Sequence, residues 1–283
     1  MSWLIFALVF WLGAWALNAF LASSVWRTTL LVRIAIPVLF GVSLIVLWEG
    51  IVRAFGVSPV ILPAPSTVAA TFAASTDILW EDFQQTVLKG ALSGFVIGVV
   101  AAFATAILID RSAILTRGLL PIGNFVAALP IVGIAPILVS WFGFDWHSKA
   151  AVVVVMVFFP ILVNTVQGLR ETDAMQRDLM HTYAAGYLDS LIKLRLPAAL
   201  PFVFNGLKIA TTLALIGAIV AEYFGSPTRG MGFRISTGVG SLSIDLVWAE
   251  IVVAAMAGTA FYGLVAFIEK RVTFWHPSHR TPT

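Results

Sequence analysis

The chain has 283 residues, of which 60% are hydrophobic and 11% are charged, and its formal net charge is +3. Soluble domains carry about 25% charged residues, so this composition excludes an ordinary soluble enzyme and indicates an integral membrane protein. Cysteine is absent, which excludes disulfides, thiolate chemistry and cysteine-based metal sites. In a membrane protein the small net charge reports loop orientation, and we predict no nucleic-acid partner.

Charge-free runs taken in chain order predict about seven transmembrane helices and an all-α fold. The runs are 1–26, 34–48, 90–109, 118–144, 150–169, 209–221 and 251–268, and the second and sixth continue past Glu49 and Glu222 to residues 54 and 224. A helix needs about 20 apolar residues to cross the hydrocarbon. The first run has no positive n-region and is longer than the apolar core of a signal peptide, so we expect a retained helix.

The prolines and glycines between these runs predict shorter elements. In segment 55–85, Ser66 is expected to cap a short surface helix that starts at Thr67. The glycine-rich segment 225–248 predicts turns and a short re-entrant element. The run 118–144 contains Pro121, Pro130 and Pro136, which kink a helix. Two interpretations remain open, a bend that only shapes the bundle or a bent helix that lines a pathway.

Residues 170–203, called the polar segment below, interrupt this apolar pattern. Four basic and four acidic residues lie between Arg170 and Arg195, whereas 150–169 carries no charge. Most of the lysines and arginines fall on the side of the polar segment and the C-terminus. The positive-inside rule therefore predicts that both are cytoplasmic and that the N-terminus is outside.

The polar segment predicts two short helices. Asp173 and Gln176 have the spacing of a capping box, and Gly186 is expected to stop the first helix. The second helix is expected to begin at Asp189 or Ser190 and to end before Pro197. One face of the first helix is apolar, with Met175, Leu179 and Tyr183 widened by Met180 and Ala184. This face fits a groove on a partner, and the alternative is a hairpin packed on its own bundle.

The sequence lacks the common nucleotide-binding and metalloprotease motifs. The sequence contains no GxxxxGK[ST] loop, no GxGxxG and no HExxH, so we expect neither ATP hydrolysis by this chain nor a bound cofactor or metal. Polar groups inside the spans are candidates for a translocation path. These candidates are Asn124, Pro130, Asn164 and Glu222, with Glu49 interpreted as an interfacial residue that reaches water or pairs with Arg53. Interhelical hydrogen bonding is the alternative for both asparagines, and an interfacial position is the alternative for Glu222.

Several segments resemble the permeases of ABC importers, the binding-protein-dependent transport inner-membrane components, and in particular the nitrate, sulfonate and taurine branch. The similar segments are LPAPSTV (62–68), LPIVGIAPILVSWFGFDWHSKA (129–150), FFPILVNTVQGL (158–169), LRLPAALPFVFNGLKIA (194–210) and IVAEYFGSPTRGMGFRI (219–235). The coupling motif of that family, aligned from Leu196 and Pro197, places its Glu on Asp178, its two Ala on Leu179 and Met180, and its Gly on Ala184. The ATPase-coupling residues implied are Met175, Asp178, Leu179, Met180, Tyr183, Ala184, Gly186, Leu196 and Pro197.

The resemblance implies a permease domain over 34–275, with an extra helix and cytoplasmic link at 1–33 and a cytoplasmic tail at 276–283. It also implies a location in a bacterial-type inner membrane. The implied partners are two ATPase subunits that hold Mg-ATP, a second copy of the permease, and an extracytoplasmic solute-binding protein. The implied cargo is a small polar solute, similar to nitrate, sulfonates, taurine or a vitamin precursor. The alternatives are a carrier driven by an ion gradient, which needs carboxylates near the midplane and usually an internal repeat, or a membrane scaffold.

Overall fold

Helices form all the regular structure of the residues that the computed structural model describes, which are 2–127, 129–225 and 228–275. The α-helices are α1 (Ser2–Ser23), α2 (Leu30–Phe55), α3 (Pro65–Ala74), α4 (Thr76–Asp110), α5 (Ala113–Ala127), α6 (Ile131–Phe142), α7 (Trp146–Arg170), α8 (Ala174–Thr182), α9 (Tyr187–Gly225), α10 (Met231–Gly240) and α11 (Ile244–Val272). Short π-helical stretches lie within α4 (Gln84–Ala91) and α9 (Leu191–Arg195). The predicted tail 276–283 lies outside the described residues.

Within the described ranges, six helices are long and apolar enough to cross a membrane, namely α1, α2, α4, α7, α9 and α11. The all-α, multi-pass membrane fold predicted from the sequence is therefore confirmed. The predicted division between residues 33 and 34 falls inside α2, which begins at Leu30. The link between the first two helices is thus shorter than expected.

The predicted fourth span, 118–144, is not one helix. It is divided between α5 and α6, and Pro130 caps α6 with an extended backbone (φ −68°, ψ 111°). A residue that precedes proline is disfavoured in the α conformation, so the break occurs beside Pro130. Pro121 and Pro136 remain inside their helices. The expectation of a single helix was therefore wrong, because the chain leaves the helix at Pro130, whereas Pro121 and Pro136 lie within helices as expected.

The predicted end of a helix before Pro197 was also wrong. α9 runs from Tyr187 through Pro197 and Pro201 to Gly225 without interruption. Proline has no N–H group and its ring clashes with the carbonyl four residues earlier. The π-helical stretch Leu191–Arg195 changes the hydrogen-bond pattern just ahead of Pro197, and the helix continues.

The segment 55–85 contains more helix than predicted. α3 begins at Pro65 with Ala64 as its N-cap, and α4 already begins at Thr76. Ser66 does not cap α3, because its hydroxyl and its amide both donate to the carboxylate of Glu49, at 2.7 and 2.9 Å. Glu49 forms an ion pair with Arg53, which is one of the two alternatives expected for it.

The chain forms two compact units. The first, Met1–Leu79 with Thr237–Glu250, holds the α1–α2 pair, where Gly50 of α2 lies against Ala7 of α1. In the same unit the ring of Trp48 lies 4.7 Å from that of Trp248. The second unit comprises Trp80–Ser236 and the chain from Ile251 onward, and it contains the candidate site.

The core of the second unit is made mainly by α4, α7 and α9, which pack through small residues. Its buried members are Ala91, Ala102, Ala106, Ile109, Val153, Val157, Ile161, Leu162, Val166, Ala210, Ala214 and Ala218. Small side chains allow helices in lipid to approach closely, and packing replaces the hydrophobic effect as the source of stability.

Replacing Gly94 of α4 with Ala is expected to destabilise this core by about 1–3 kcal/mol, the usual cost of overpacking. A Cβ atom there would lie 2.5 Å from the Cβ of Val153 and 2.8 Å from the carbonyl oxygen of Ala150. Thermal unfolding in detergent measures the change. The control is Gly263→Ala in α11, where the added Cβ meets no side chain or other helix of the described residues within 4 Å. Equal unfolding temperatures for the two variants would contradict the packing described.

Candidate functional site

The first helix of the polar segment begins as predicted. Asp173 and Gln176 form a reciprocal capping box at the start of α8, in which the amide of Asp173 donates to the side chain of Gln176 at 3.2 Å. The box satisfies backbone donors that have no partner within the helix. α8 is therefore a defined helix in a part of the chain that carries many charges.

The predicted apolar ridge, Met175, Leu179 and Tyr183, is exposed along one face of the polar segment. The exposed fractions of these residues are 81%, 56% and 77%. Asp178 is also exposed, Met180 is half-buried, and no residue of α8 is buried. This argues against the alternative of a hairpin whose apolar face packs on its own bundle.

α8 ends at Thr182 with Tyr183 as its C-cap, ahead of the stop predicted at Gly186, which was wrong. The amide of Ala184 donates to the carbonyl of His181 at 2.9 Å, and that of Ala185 to the carbonyl of Met180 at 3.0 Å. This is a Schellman motif, whose turning residue adopts a left-handed conformation and is usually glycine. Ala184 adopts it with φ +50°. Gly186 instead caps the start of α9 with an extended backbone.

Replacing Ala184 with Gly is expected to stabilise this turn by about 0.5–1 kcal/mol, because glycine adopts positive φ without the Cβ penalty. Hydrogen exchange of a peptide that covers residues 180–186 should become slower. Ala185→Gly is the matched control, since Ala185 has no positive φ, and it should make exchange faster. If both variants changed exchange in the same direction, the left-handed strain at Ala184 would not be the cause.

The start of α9 is fixed to the ends of α4 and α7 by a part-buried polar group, called the Asp110 clamp. The Nη1 group of Arg195 donates a hydrogen bond to Asp110 Oδ2 at 2.7 Å, and its Nε group donates to the carbonyl of Leu169 at 3.0 Å. The hydroxyl of Tyr187 donates to the same carboxylate at 2.8 Å. The guanidinium of Arg111 lies 4.7 Å from the centre of the Tyr187 ring. The polar segment is thus attached to the bundle at its C-terminal half.

An open groove of about 410 Å³ lies between α8 and the start of α9. Its lining includes Arg177, Met180, His181, Gly186 and Arg195. The groove is therefore basic and faces away from the apolar ridge, since residues 177 and 181 lie on the opposite side of α8 from Leu179. Leu196 and Pro197 are half-buried just beyond it.

Glu222, one of the path candidates, is buried near the other end of α9. Its exposed fraction is 1%, and its Oε2 accepts hydrogen bonds from the Thr86 hydroxyl at 2.6 Å and the Gly232 amide at 3.1 Å. It forms no ion pair with Arg229, which pairs with Glu81 at 3.9 Å. This burial argues against the alternative of a Glu222 side chain that reaches water, and its role in a path remains a prediction.

The other path candidates are dispersed. Asn164 of α7 donates to the carbonyl of Pro160 at 2.8 Å and accepts from Asn205 of α9 at 3.0 Å, which is the interhelical alternative. Pro130 is exposed at the break before α6. Asn124 lies within α5, but its side chain is outside the described part of the chain.

Sequence reasoning missed the partners that hold these residues in place. Asp110 ends a charge-free run and Arg195 precedes Leu196 and Pro197, so charges at span ends were a usable signal for the Asp110 clamp. Thr86 had no local signal, because its contact with Glu222 joins residues far apart in the chain.

Comparisons with known proteins give the family. The model of the family described as "Binding-protein-dependent transport system inner membrane component" matches residues 94–274. A "Probable ABC transporter permease protein" of Haemophilus influenzae is 32% identical over 82% of this chain and 94% of that relative. The formylaminopyrimidine transport permease protein of Halalkalibacterium halodurans is 29% identical over 84% and 95%. The taurine transport system permease protein of Escherichia coli is 26% identical over 89% and 93%.

Proposed function

The chain belongs to the binding-protein-dependent transport system inner membrane component family, and from that premise we propose that it is the membrane-spanning subunit of an ATP-driven importer. The observation that carries the proposal is an exposed apolar ridge on a short helix that is attached to long membrane-spanning helices. An apolar helix face with polar flanks fits a groove on a soluble partner.

The proposed partner at the ridge is an ATPase that holds Mg-ATP. One ATPase would dock on the polar segment of each of two permease copies, since closed two-fold symmetry is the commonest arrangement of identical subunits. Closure of the ATPase pair on ATP would push the two polar segments, and the membrane helices would switch between inward and outward access. The chain itself contributes no catalytic group to the hydrolysis.

The proposed cargo is a small polar solute of the nitrate, sulfonate, taurine or vitamin-precursor class. Two of the similar proteins are named for transport of formylaminopyrimidine and taurine, which supports this range. A solute-binding protein would deliver the cargo to the loops within 55–85 and 225–247. In this proposal the polar segment and the C-terminus face the cytoplasm, and Asn124, Pro130, Asn164 and Glu222 remain candidates for the path.

Uptake by cells that express the chain with its ATPase and binding protein tests the proposal, with radiolabelled taurine, nitrate, an alkanesulfonate and riboflavin as probes. We expect uptake of at least one probe to persist when a protonophore removes the proton gradient and ATP is maintained, and to stop when ATP is depleted. Uptake that follows the gradient would instead indicate a secondary carrier, and no uptake of any probe would favour a scaffold. Cells with the Leu179→Asp, Tyr183→Asp double variant are the control.

A further inference from the structure

The first turn of α10 is held by side chains of two other helices. The amide of Gly230 donates to Asp82 Oδ1 at 2.6 Å, that of Met231 to Thr86 Oγ1 at 2.8 Å, and that of Gly232 to Glu222 Oε2 at 3.1 Å. The first amides of a helix have no partner within it. Here three successive amides find theirs in side chains from α4 and α9.

These three side chains are buried, with exposed fractions of 0% for Asp82, 0% for Thr86 and 1% for Glu222. The Thr86 hydroxyl also donates to Glu222 Oε2 at 2.6 Å, and Arg234 Nε donates to Asp82 Oδ2 at 2.8 Å. A buried carboxylate is costly unless hydrogen bonds compensate it, and a helix N-terminus favours negative charge. The set, called the Glu222 clamp, comprises Asp82, Thr86, Glu222 and the amides of 230–232.

The turn leaves little room for another arrangement. Gly230 has φ +118°, and a Cβ atom on Gly232 would lie 2.1 Å from the carbonyl oxygen of Ile219 in α9. Beside it, Nζ of the buried Lys149 in α7 donates to the carbonyl of Gly225, the last residue of α9, at 3.1 Å. The first turn of α10 therefore lies directly against the end of α9.

α4 and α9 are thus joined at both of their ends. The Asp110 clamp links the last residue of α4 to the start of α9, and the Glu222 clamp links the first part of α4 to the last turn of α9. At a rise of 1.5 Å per residue the two clamps lie about 36 Å apart along α4 and about 40 Å apart along α9. Between the clamps both helices pack against α7, and their alanines belong to the same buried core.

We propose that α4 and α9 move as one rigid lever, and that Asp82, Thr86 and Glu222 are positioning residues that carry motion of the polar segment to the first turn of α10. The proposal rests on the proposed function, because the ATPase supplies the motion. Packed elements change between discrete arrangements rather than deforming continuously. A clamp at each end makes α4 and α9 one such element, so a push at the polar segment moves the first turn of α10.

The chain contains no cysteine, so a single introduced thiol reports on α10 directly. Ser236→Cys, on the described half-buried part of α10, is labelled with a maleimide in the assembled complex, without nucleotide and with ATP plus vanadate. We expect the nucleotide to change the labelling rate when Thr86 is present. Thr86→Val, which keeps the shape but removes the hydroxyl, should abolish the change while the ATPase stays attached and hydrolyses ATP. Thr86→Ser should restore the change.

Thr105→Val is the matched control, because Thr105 lies on the same helix and its hydroxyl donates only to the carbonyl of Ala101. A nucleotide-dependent change that survives in Thr86→Val would overturn the transmission role. Hydrogen exchange of the chain alone tests the clamp separately, since loss of the Thr86 bonds should speed exchange of amides 230–232 by about tenfold. Unchanged exchange would overturn the clamp. A wild-type chain that binds no ATPase would instead overturn the proposed function, and the transmission role with it.

Discussion

Replacing both Leu179 and Tyr183 with Asp is expected to abolish co-purification of the ATPase and to leave membrane insertion intact. Both side chains are exposed, at 56% and 77%, so the substitutions remove little packing within the chain. In the complex they would place two unpaired charges in an apolar interface. Interface anchors cost about 2 kcal/mol or more each when truncated, and a buried unpaired charge costs more.

The control for this variant is His181→Asp, which adds a negative charge to the same short helix on the face that lines the basic groove. We expect this variant to retain the ATPase. Co-purification is measured in mild detergent, with the helical content followed by circular dichroism. Normal recovery of the ATPase with the double variant would show that the apolar ridge is not the docking surface.

Replacing Arg195 with Met is expected to detach the polar segment from the bundle. The side chain of Asp110 is only 6% exposed, and removing one partner of a buried ion pair costs about 3–5 kcal/mol. The unfolding temperature in detergent should fall, and the ATP hydrolysis of the complex should lose its dependence on the binding protein. A second change, Asp110→Asn, should recover much of the stability, because no buried charge then lacks its partner.

The same substitution at Lys193 is the control. Lys193 pairs with Asp189, but the two side chains are 68% and 52% exposed, and a surface pair of this kind contributes about 0–1 kcal/mol. Lys193→Met should therefore unfold like the wild type. If Arg195→Met and Lys193→Met lowered the unfolding temperature equally, the Asp110 clamp would not fix the polar segment.

The long helices could be predicted because lipid imposes one condition on every residue of a span. A run of apolar residues is enough to locate α2, α7 or α11. The charges that bound the run give the ends of α2 and α7 to within a few residues, whereas α11 begins at Ile244, well before its run. The local rule that proline ends or kinks a helix did not predict where the helices break. Pro130 breaks a helix, whereas Pro121, Pro136, Pro197 and Pro201 lie within helices, and the outcome depends on neighbouring packing.

The apolar ridge could be predicted because its cause is local. The spacing of Met175, Leu179 and Tyr183 and the capping box at Asp173 lie within ten or so residues, and helix periodicity orders them. The left-handed conformation of Ala184 could not be predicted from the residue type, since alanine disfavours it. The alignment of Ala184 with the motif glycine was the available signal.

The two clamps could not be predicted from local pattern. Asp110 meets Arg195, and Thr86 meets Glu222, across the packed core of α4, α7 and α9. Such contacts depend on which helices become neighbours and in which register. Sequence reasoning therefore identified Glu222 as an unusual intramembrane carboxylate but not what it holds.

The most direct test of the proposed function is a pull-down of the chain from its native membrane in mild detergent, with mass spectrometry of the proteins that remain bound. We expect an ATPase with a phosphate-binding loop, recovered with the wild-type chain and lost with the Leu179→Asp, Tyr183→Asp variant. A well-folded wild-type chain that retains no ATPase would contradict it.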